Sequence, residues 1–202
     1  MGVIIGLCRC LNYVRAGDWT GRQTYGEDNM IEVLRHRRSI RKYEKRSLDH
    51  EAVEILKESI LRSPSARGIN PWEFVFVDDP DTLMKLAHSK EQGSVFLLGA
   101  ALGIVVCGDE TKSDVWVEDC SIASIIVQLA AHSIGLGTCW IQIRNRMHSK
   151  EITAEEYVRG LLRIPGNLRV ESIISIGYPG EAKTGVSGEQ LMYGRIRHNT
   201  YE

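Results

Sequence analysis

The densest chemistry-bearing segment runs Arg35-His36-Arg37-Arg38-Ser39-Ile40-Arg41-Lys42-Tyr43, with Lys45 just beyond it. Six cationic side chains, those of Arg35, Arg37, Arg38, Arg41, Lys42 and Lys45, crowd around the Ser39 hydroxyl. Guanidinium forks, a hydroxyl donor and backbone N–H groups at a chain reversal together suit a phosphate dianion. The same charges also suit a solvated basic face or an RNA patch. Against RNA, no aromatics interleave for base stacking, and Tyr43 stands alone.

Two further segments offer backbone rather than charge. Pro64-Ser65-Ala66-Arg67-Gly68-Ile69-Asn70-Pro71-Trp72 is a loop by composition. Its exposed amides can bond the edge of a flat heterocycle, although most such segments only join a helix to a strand. Gly135-Leu136-Gly137-Thr138-Cys139-Trp140-Ile141 is not a dinucleotide fingerprint, because it follows a helical pattern and has no third glycine at the right spacing. Its glycines let the chain leave a helix tightly and pass close to a ligand. A helix C-cap followed by a core strand explains them equally well. The histidines at 36, 50, 88, 132, 148 and 198 show no metal-ligand spacing. No G-x-S-x-G motif, P-loop or pair of catalytic carboxylates stands out. Anion and ring binding without a catalytic set suits a cofactor that carries its own chemistry.

These segments must be held by regular elements. Asn29 is a plausible cap for a helix whose Met30, Ile31, Val33 and Leu34 share a face. Ser47 is expected to cap a second helix, with Val53, Leu56, Ile60 and Leu61 as its stripe. Strands are expected at 74–77, 102–107, 138–143 and 170–177. Helices are expected around 80–89, from Val115 to Ile134 with Ile122, Ile125, Ile126 and Leu129 at helical spacing, and from Ala154 to Arg163. Strands and helices alternate without a strict β-α-β rhythm, which predicts α+β rather than a doubly wound sheet. The tail from 181 to 202 is polar and mostly irregular.

At 202 residues, with 43% hydrophobic and 25% charged, the chain suits one domain with a substantial core. Residues 1–29 hold Gly2, Gly6, Gly17, Gly21 and Gly26 without a sustained period, so they are expected to be an extension to a domain spanning 30–202. A net charge of -1 gives no global pull toward nucleic acid or anionic membrane. The apolar stretch from Val95 to Cys107 is well short of the ~20 residues of a membrane helix. Five irregularly spaced cysteines suggest no disulfide framework and point to a reducing cytoplasm.

In order, these segments resemble the nitroreductase family. Arg37, Ser39 and Arg41 resemble its Arg-x-Ser-x-(Arg/Lys) motif. Pro64 to Trp72 resembles its Pro-Ser-Ala-x-Asn-x-Gln-Pro-Trp loop, with Gly68 in place of Asn and Asn70 in place of Gln. Gly135 to Ile141 resembles its Gly-Leu-Gly-x-x-Trp-Ile turn, and Ile176-Gly177-Tyr178-Pro179 its last strand and exit. The match spans roughly residues 30–201. The resemblance implies a mixed, mostly antiparallel central sheet flanked by helices, in an intertwined homodimer with FMN between the subunits. It implies that Arg37, Arg38 and Ser39 hold the phosphate and ribityl chain, and that Arg41 lies near the flavin N1–C2=O edge. Pro64, Ser65, Ala66 and Gly68 or Asn70 would come from the other subunit. The backbone of Cys139, Trp140 and Ile141 would pass the N5–O4 edge. A tail cation would complete the phosphate site, with Arg195 first and Arg197 or Lys183 in reserve. The implied activity is oxidation of NAD(P)H and reduction of a nitroaromatic or quinone in two half-reactions. Reductive dehalogenation, flavin fragmentation, and flavin binding without turnover are the rival readings.

Overall fold

The computed structural model describes residues 29–201, so the extension expected over 1–29 lies, but for Asn29, outside the described residues. Four strands, β1 (Trp72–Val77), β2 (Leu102–Asp109), β3 (Gly137–Gln142) and β4 (Leu168–Gly177), form one sheet in the order β1-β2-β4-β3. Every junction is antiparallel. The parallel contribution among the described residues is a single bridge between Ser39 and Thr138.

The central strands β2 and β4 are buried almost throughout because both sheet faces are covered. Along β2 the alternation sends Leu102, Ile104 and Val106 to one side, where they meet α2 (His50–Leu61) and α4 (Trp116–Ser133). Val105 and Cys107 face the other side, toward α3 (Pro80–Ala87) and α5 (Ala154–Leu162). The result is a three-layered α+β fold.

Helix starts follow their side-chain caps. Asn29 accepts from the Ile31 N–H ahead of α1 (Met30–His36). For α2 the cap is Asp49 rather than Ser47, because the Asp49 carboxylate accepts the Ala52 N–H at 2.8 Å. Such a cap contributes about 1 kcal/mol. Thr153 and Glu156 form a reciprocal capping box on α5.

Two expected stripes do not face the core. On α4 the sheet side consists of Cys120, Ala123, Ser124, Val127, Gln128 and Ala131, whereas Ile122 and Ile125 are exposed. The helix is apolar nearly all round, so its small residues pack closely on the sheet and its isoleucines turn outward. On α1 only Val33 is buried, and Met30, Ile31 and Leu34 are exposed.

Candidate functional site

Residues 37–44 form an extended arm laid along the ends of β3 and β4. The Ile40 N–H donates to the Thr138 carbonyl at 2.9 Å, and the Glu44 N–H to the Tyr178 carbonyl at 2.9 Å. Close approach requires glycine: a Cβ on Gly137 would stand 2.8 Å from the Ile40 side chain. The Tyr43 hydroxyl lies 2.7 Å from both the Ile40 carbonyl and Ser175 Oγ, and Ser175 donates to the Cys139 carbonyl at 3.1 Å. Burial raises the Tyr43 phenol, which stays protonated.

Glu181 fastens the arm from the far side. Its carboxylate accepts the Arg41 N–H at 2.7 Å and pairs with Lys183 at 3.0 Å. Those bonds, the Arg41 N–H foremost, hold the carboxyl below its ordinary range. Lys183 Nζ also donates to the Ser39 carbonyl at 2.8 Å. Burial pushes the Cys139 thiol up, against the opposing pull of Arg41, the Ser39 hydroxyl, Lys183 and Lys90. Four segments thus converge on one point of β3.

Because the arm is extended, its side chains alternate. Ser39 and Arg41 act on Cys139, and the Arg41 guanidinium lies 5.6 Å from the Phe96 ring centre. Arg38 faces a cavity of about 830 Å³ together with His36, Glu44, His132, Glu181 and Lys183. Burial, and then the charge of Arg37, lowers the His132 imidazole. The edge of β3 alternates too. The Thr138 carbonyl points outward to Ile40, and the Cys139 carbonyl turns to Ser175 of β4. The next peptide groups on the open edge are therefore those of Trp140 and then Gln142.

The Pro64–Trp72 loop belongs to the opposite end of α4. Ser65 Oγ donates to Asn70 Oδ1 at 2.6 Å and accepts the Asn70 N–H at 2.8 Å, closing the loop's base. Arg67, Gly68 and Asn70 all have left-handed backbone, at φ 56°, 65° and 51°. For Arg67 this costs on the order of 1–2 kcal/mol, whereas asparagine tolerates it at lower cost. The Ala66 N–H donates to Asp119 Oδ1 at 2.8 Å. Asp119 and His132 are thirteen residues apart on α4, about 20 Å along its axis. Loop and arm therefore stand at two ends of one helix.

The model of the nitroreductase family matches residues 34–96 and 84–178. The chain belongs to the nitroreductase family. It is 34% identical over 160 residues to a protein of Archaeoglobus fulgidus provisionally named an NADH dehydrogenase/NAD(P)H nitroreductase, spanning 77% of this chain and 88% of that one. Among solved structures it is similar to an FMN-dependent nitroreductase from Clostridium difficile R20291, with 42% identity and a TM-score of 0.83. That match covers 85% of this chain and 99% of the other. A protein of Parabacteroides distasonis matches with 33% identity and a TM-score of 0.78, over 87% and 100% of the two chains.

In this nitroreductase-family chain the sequence-expected residues separate into three groups. Ser39, Arg41 and Cys139 come together, whereas Arg38 turns to the cavity and Arg37 to the end of α4. Pro64, Ser65, Ala66, Gly68 and Asn70 form one loop with no bond to the arm of the same chain. Arg195 ends a short turn in the tail, where its backbone N–H donates to the Met192 carbonyl. Lys183, the reserve tail cation, reaches the arm of its own chain, where it shares the Glu181 carboxylate and bonds to the Ser39 carbonyl. Of the β3 positions, Ile141 is buried on the core side, and Trp140 holds the open edge. Sequence reasoning missed Lys90, Gln142 and Asp119. The period of two along β3 was a usable signal for Gln142. For Asp119, 53 residues from its loop partner, there was none.

Proposed function

We propose that this chain is an FMN-dependent oxidoreductase, active as a homodimer, that oxidises NAD(P)H and reduces an electron-poor acceptor such as a nitroaromatic or quinone. The carrying observation is the convergence of Ser39, Arg41 and Lys183 beside the open edge of β3, in a nitroreductase-family chain similar to an FMN-dependent protein. The donor set suits the cofactor. Arg37, Ser39 and Lys183 offer charge and hydroxyl to a phosphate, and the Trp140 peptide offers a flat edge to a ring. Arg41 would neutralise negative charge at N1–C2=O. Bound FMN supplies the redox chemistry, by which nucleotide oxidation and acceptor reduction occur as two half-reactions. The protein's part is to bind, orient and exclude water.

The dimer reading rests on α4. Ile122 and Ile125 are exposed near the midpoint between Asp119 and His132, and Met30, Ile31, Leu34 and Leu61 are exposed on neighbouring helices. Two copies of α4 crossing antiparallel at that midpoint set the loop end of one over the arm end of the other. That is an isologous interface, and each site then takes its arm from one copy and its loop from the other.

The test is extraction and chromatography of the cofactor, followed by anaerobic titration with NADH and NADPH. FMN at about one per chain, bleached by either nucleotide, is expected. A colourless protein that takes up no added FMN overturns the flavin reading. Bound FMN that neither nucleotide bleaches makes the chain a flavin binder without this activity.

A further inference from the structure

We propose that Asp119 is the positioning residue that shapes the 64–72 loop for the neighbouring subunit's flavin site. The inference rests on the shared-site reading above. Asp119 is a carboxylate only 2% exposed, in the first turn of α4. A buried carboxylate is tolerated only with strong partners, and a helix start favours negative charge. Its partners come from two separate loops. Oδ1 accepts the Ala66 N–H at 2.8 Å, and Oδ2 accepts the Ser113 hydroxyl at 3.3 Å.

Ala66 opens the short turn Ala66–Gly68, immediately before the left-handed residues. At the other end of the loop, the Pro71 carbonyl accepts the Asp109 N–H at 2.8 Å. The loop is therefore held to the body at Ala66 and Pro71, with Arg67 paired to Asp114 at 2.7 Å, and the exposed Gly68 and Asn70 lie between these anchors. Strained backbone persists only where its surroundings over-determine it. Asp119 supplies that constraint at the entry, and the direction of the tip follows from it. Asp119 touches neither the arm nor Cys139 of its own chain, so its effect on flavin is exerted in trans. The 110–116 stretch is an anchored turn, held by Ser113 on Asp119 and by Thr111 on Asp109.

The experiment is FMN titration by flavin fluorescence on differently tagged copies, including mixed dimers isolated through both tags. Asp119→Ala homodimers should bind FMN roughly tenfold or more weakly, the scale of one lost charge-assisted bond. Asp119→Asn keeps an acceptor oxygen for the Ala66 N–H and should stay within about threefold of wild type. Ala66→Pro removes the donor with α4 untouched, in a position where Ser65 is already extended. It should reproduce the Asp119→Ala defect, and it keeps the test alive if Asp119→Ala fails to fold. The deciding measurement is the mixed dimer of Arg37→Ala with Asp119→Ala. It pairs an intact arm with an intact loop at one site, so one wild-type-affinity site per dimer is expected. Wild-type affinity in both Asp119→Ala and Ala66→Pro homodimers overturns the role of Asp119 and leaves the shared site standing. Weakened homodimers whose mixture regains no tight site show that the loop serves its own chain, which overturns the shared site and the trans role together.

Discussion

The arm at 37–44 and the tail at 186–201 are both cationic and both near the candidate site in sequence logic, yet only the arm is packed. Ile40 is buried and the arm's peptide groups are bonded to β3, to Tyr178 and to Glu181. In the tail, Met192, Tyr193 and Ile196 are 65%, 67% and 69% exposed. Among the described residues, Arg197 bonds to the carbonyls of Gly194, Ile196 and Tyr201 around it. An apolar side chain left in water forgoes about 1.5–3 kcal/mol of burial. The arm finds its partners within the chain. The tail and the outward faces of α1 and α4 carry side chains suited to a surface that the described residues do not supply.

The strongest attempt to break that contrast is deletion of residues 186–202. If the tail packs on a second copy, the truncated protein should fall from about twice 22.7 kDa to monomer in light scattering and lose most of its FMN. A truncated dimer with full flavin content would place the tail outside the interface. Within the arm, two arginines act at different places, Arg37 on His132 at the end of α4 and Arg41 on Cys139 of β3. Arg37→Ala should weaken FMN roughly 30- to 100-fold through the lost phosphate contact. Arg41→Ala should loosen it only modestly. Two unit charges 4 Å apart at an effective dielectric of 20 interact by roughly 4 kcal/mol, which the exposure of Arg41 should reduce to about 1–2 kcal/mol. With 1.4 kcal/mol equal to about 30 mV for a two-electron couple, the Arg41→Ala midpoint should drop by roughly 20–45 mV. Spectroelectrochemical titration with excess FMN reads this, and equal shifts in the two variants would mean that their roles are wrongly divided.

Local signals in the sequence were the dependable ones. The helical period and the glycines that end it placed α4 at 115–134, against Trp116–Ser133 in the structure. Apolar runs placed β1, β2 and β4 within a few residues of their ends. Facing was less legible: on α4 a stripe of isoleucines marks a helix but not which side meets the sheet, since small residues pack there just as well. The cationic cluster read as one unit because a sequence shows spacing and not the extended backbone that sends Arg38 and Arg41 opposite ways. Contacts such as Ala66 to Asp119 and Lys183 to Ser39 join residues 53 and 144 apart, and no local pattern encodes them.

A smaller effect tests the packed side alone. The Thr111 hydroxyl, with Asn167, the Thr111 N–H and Lys112, brings the Asp109 carboxyl down to about 2 despite its burial. Its folded value lies below the unfolded value of about 4, so its stabilisation is present above pH 4 and is lost as pH falls toward 2. Asp109→Asn should flatten that acid limb in urea midpoints measured from pH 7 to pH 2. Because Asp109 lies in the packed body, the limb should survive deletion of the tail. Its disappearance in the truncated chain would tie this turn to the interface.

The smallest expected change concerns the loop tip, the other segment left facing outward. Gly68 has φ 65°, and a Cβ there meets nothing within 4 Å. Asparagine, the residue usual at this place in the family motif, is among the few that tolerate left-handed backbone. Gly68→Asn gains from a stiffer unfolded chain what it loses to residual strain, so stability should move by less than about 0.5 kcal/mol. In the shared-site arrangement the new amide points at the neighbour's flavin, and FMN should bind a few-fold more tightly. Gly68→Ala separates the two contributions: it adds the backbone strain without the amide, so it should lose about 1 kcal/mol of stability and gain no affinity. If Asn and Ala leave FMN binding equally unchanged, residue 68 does not reach the ring, and the tip's contribution falls to Ser65, Ala66 and Asn70.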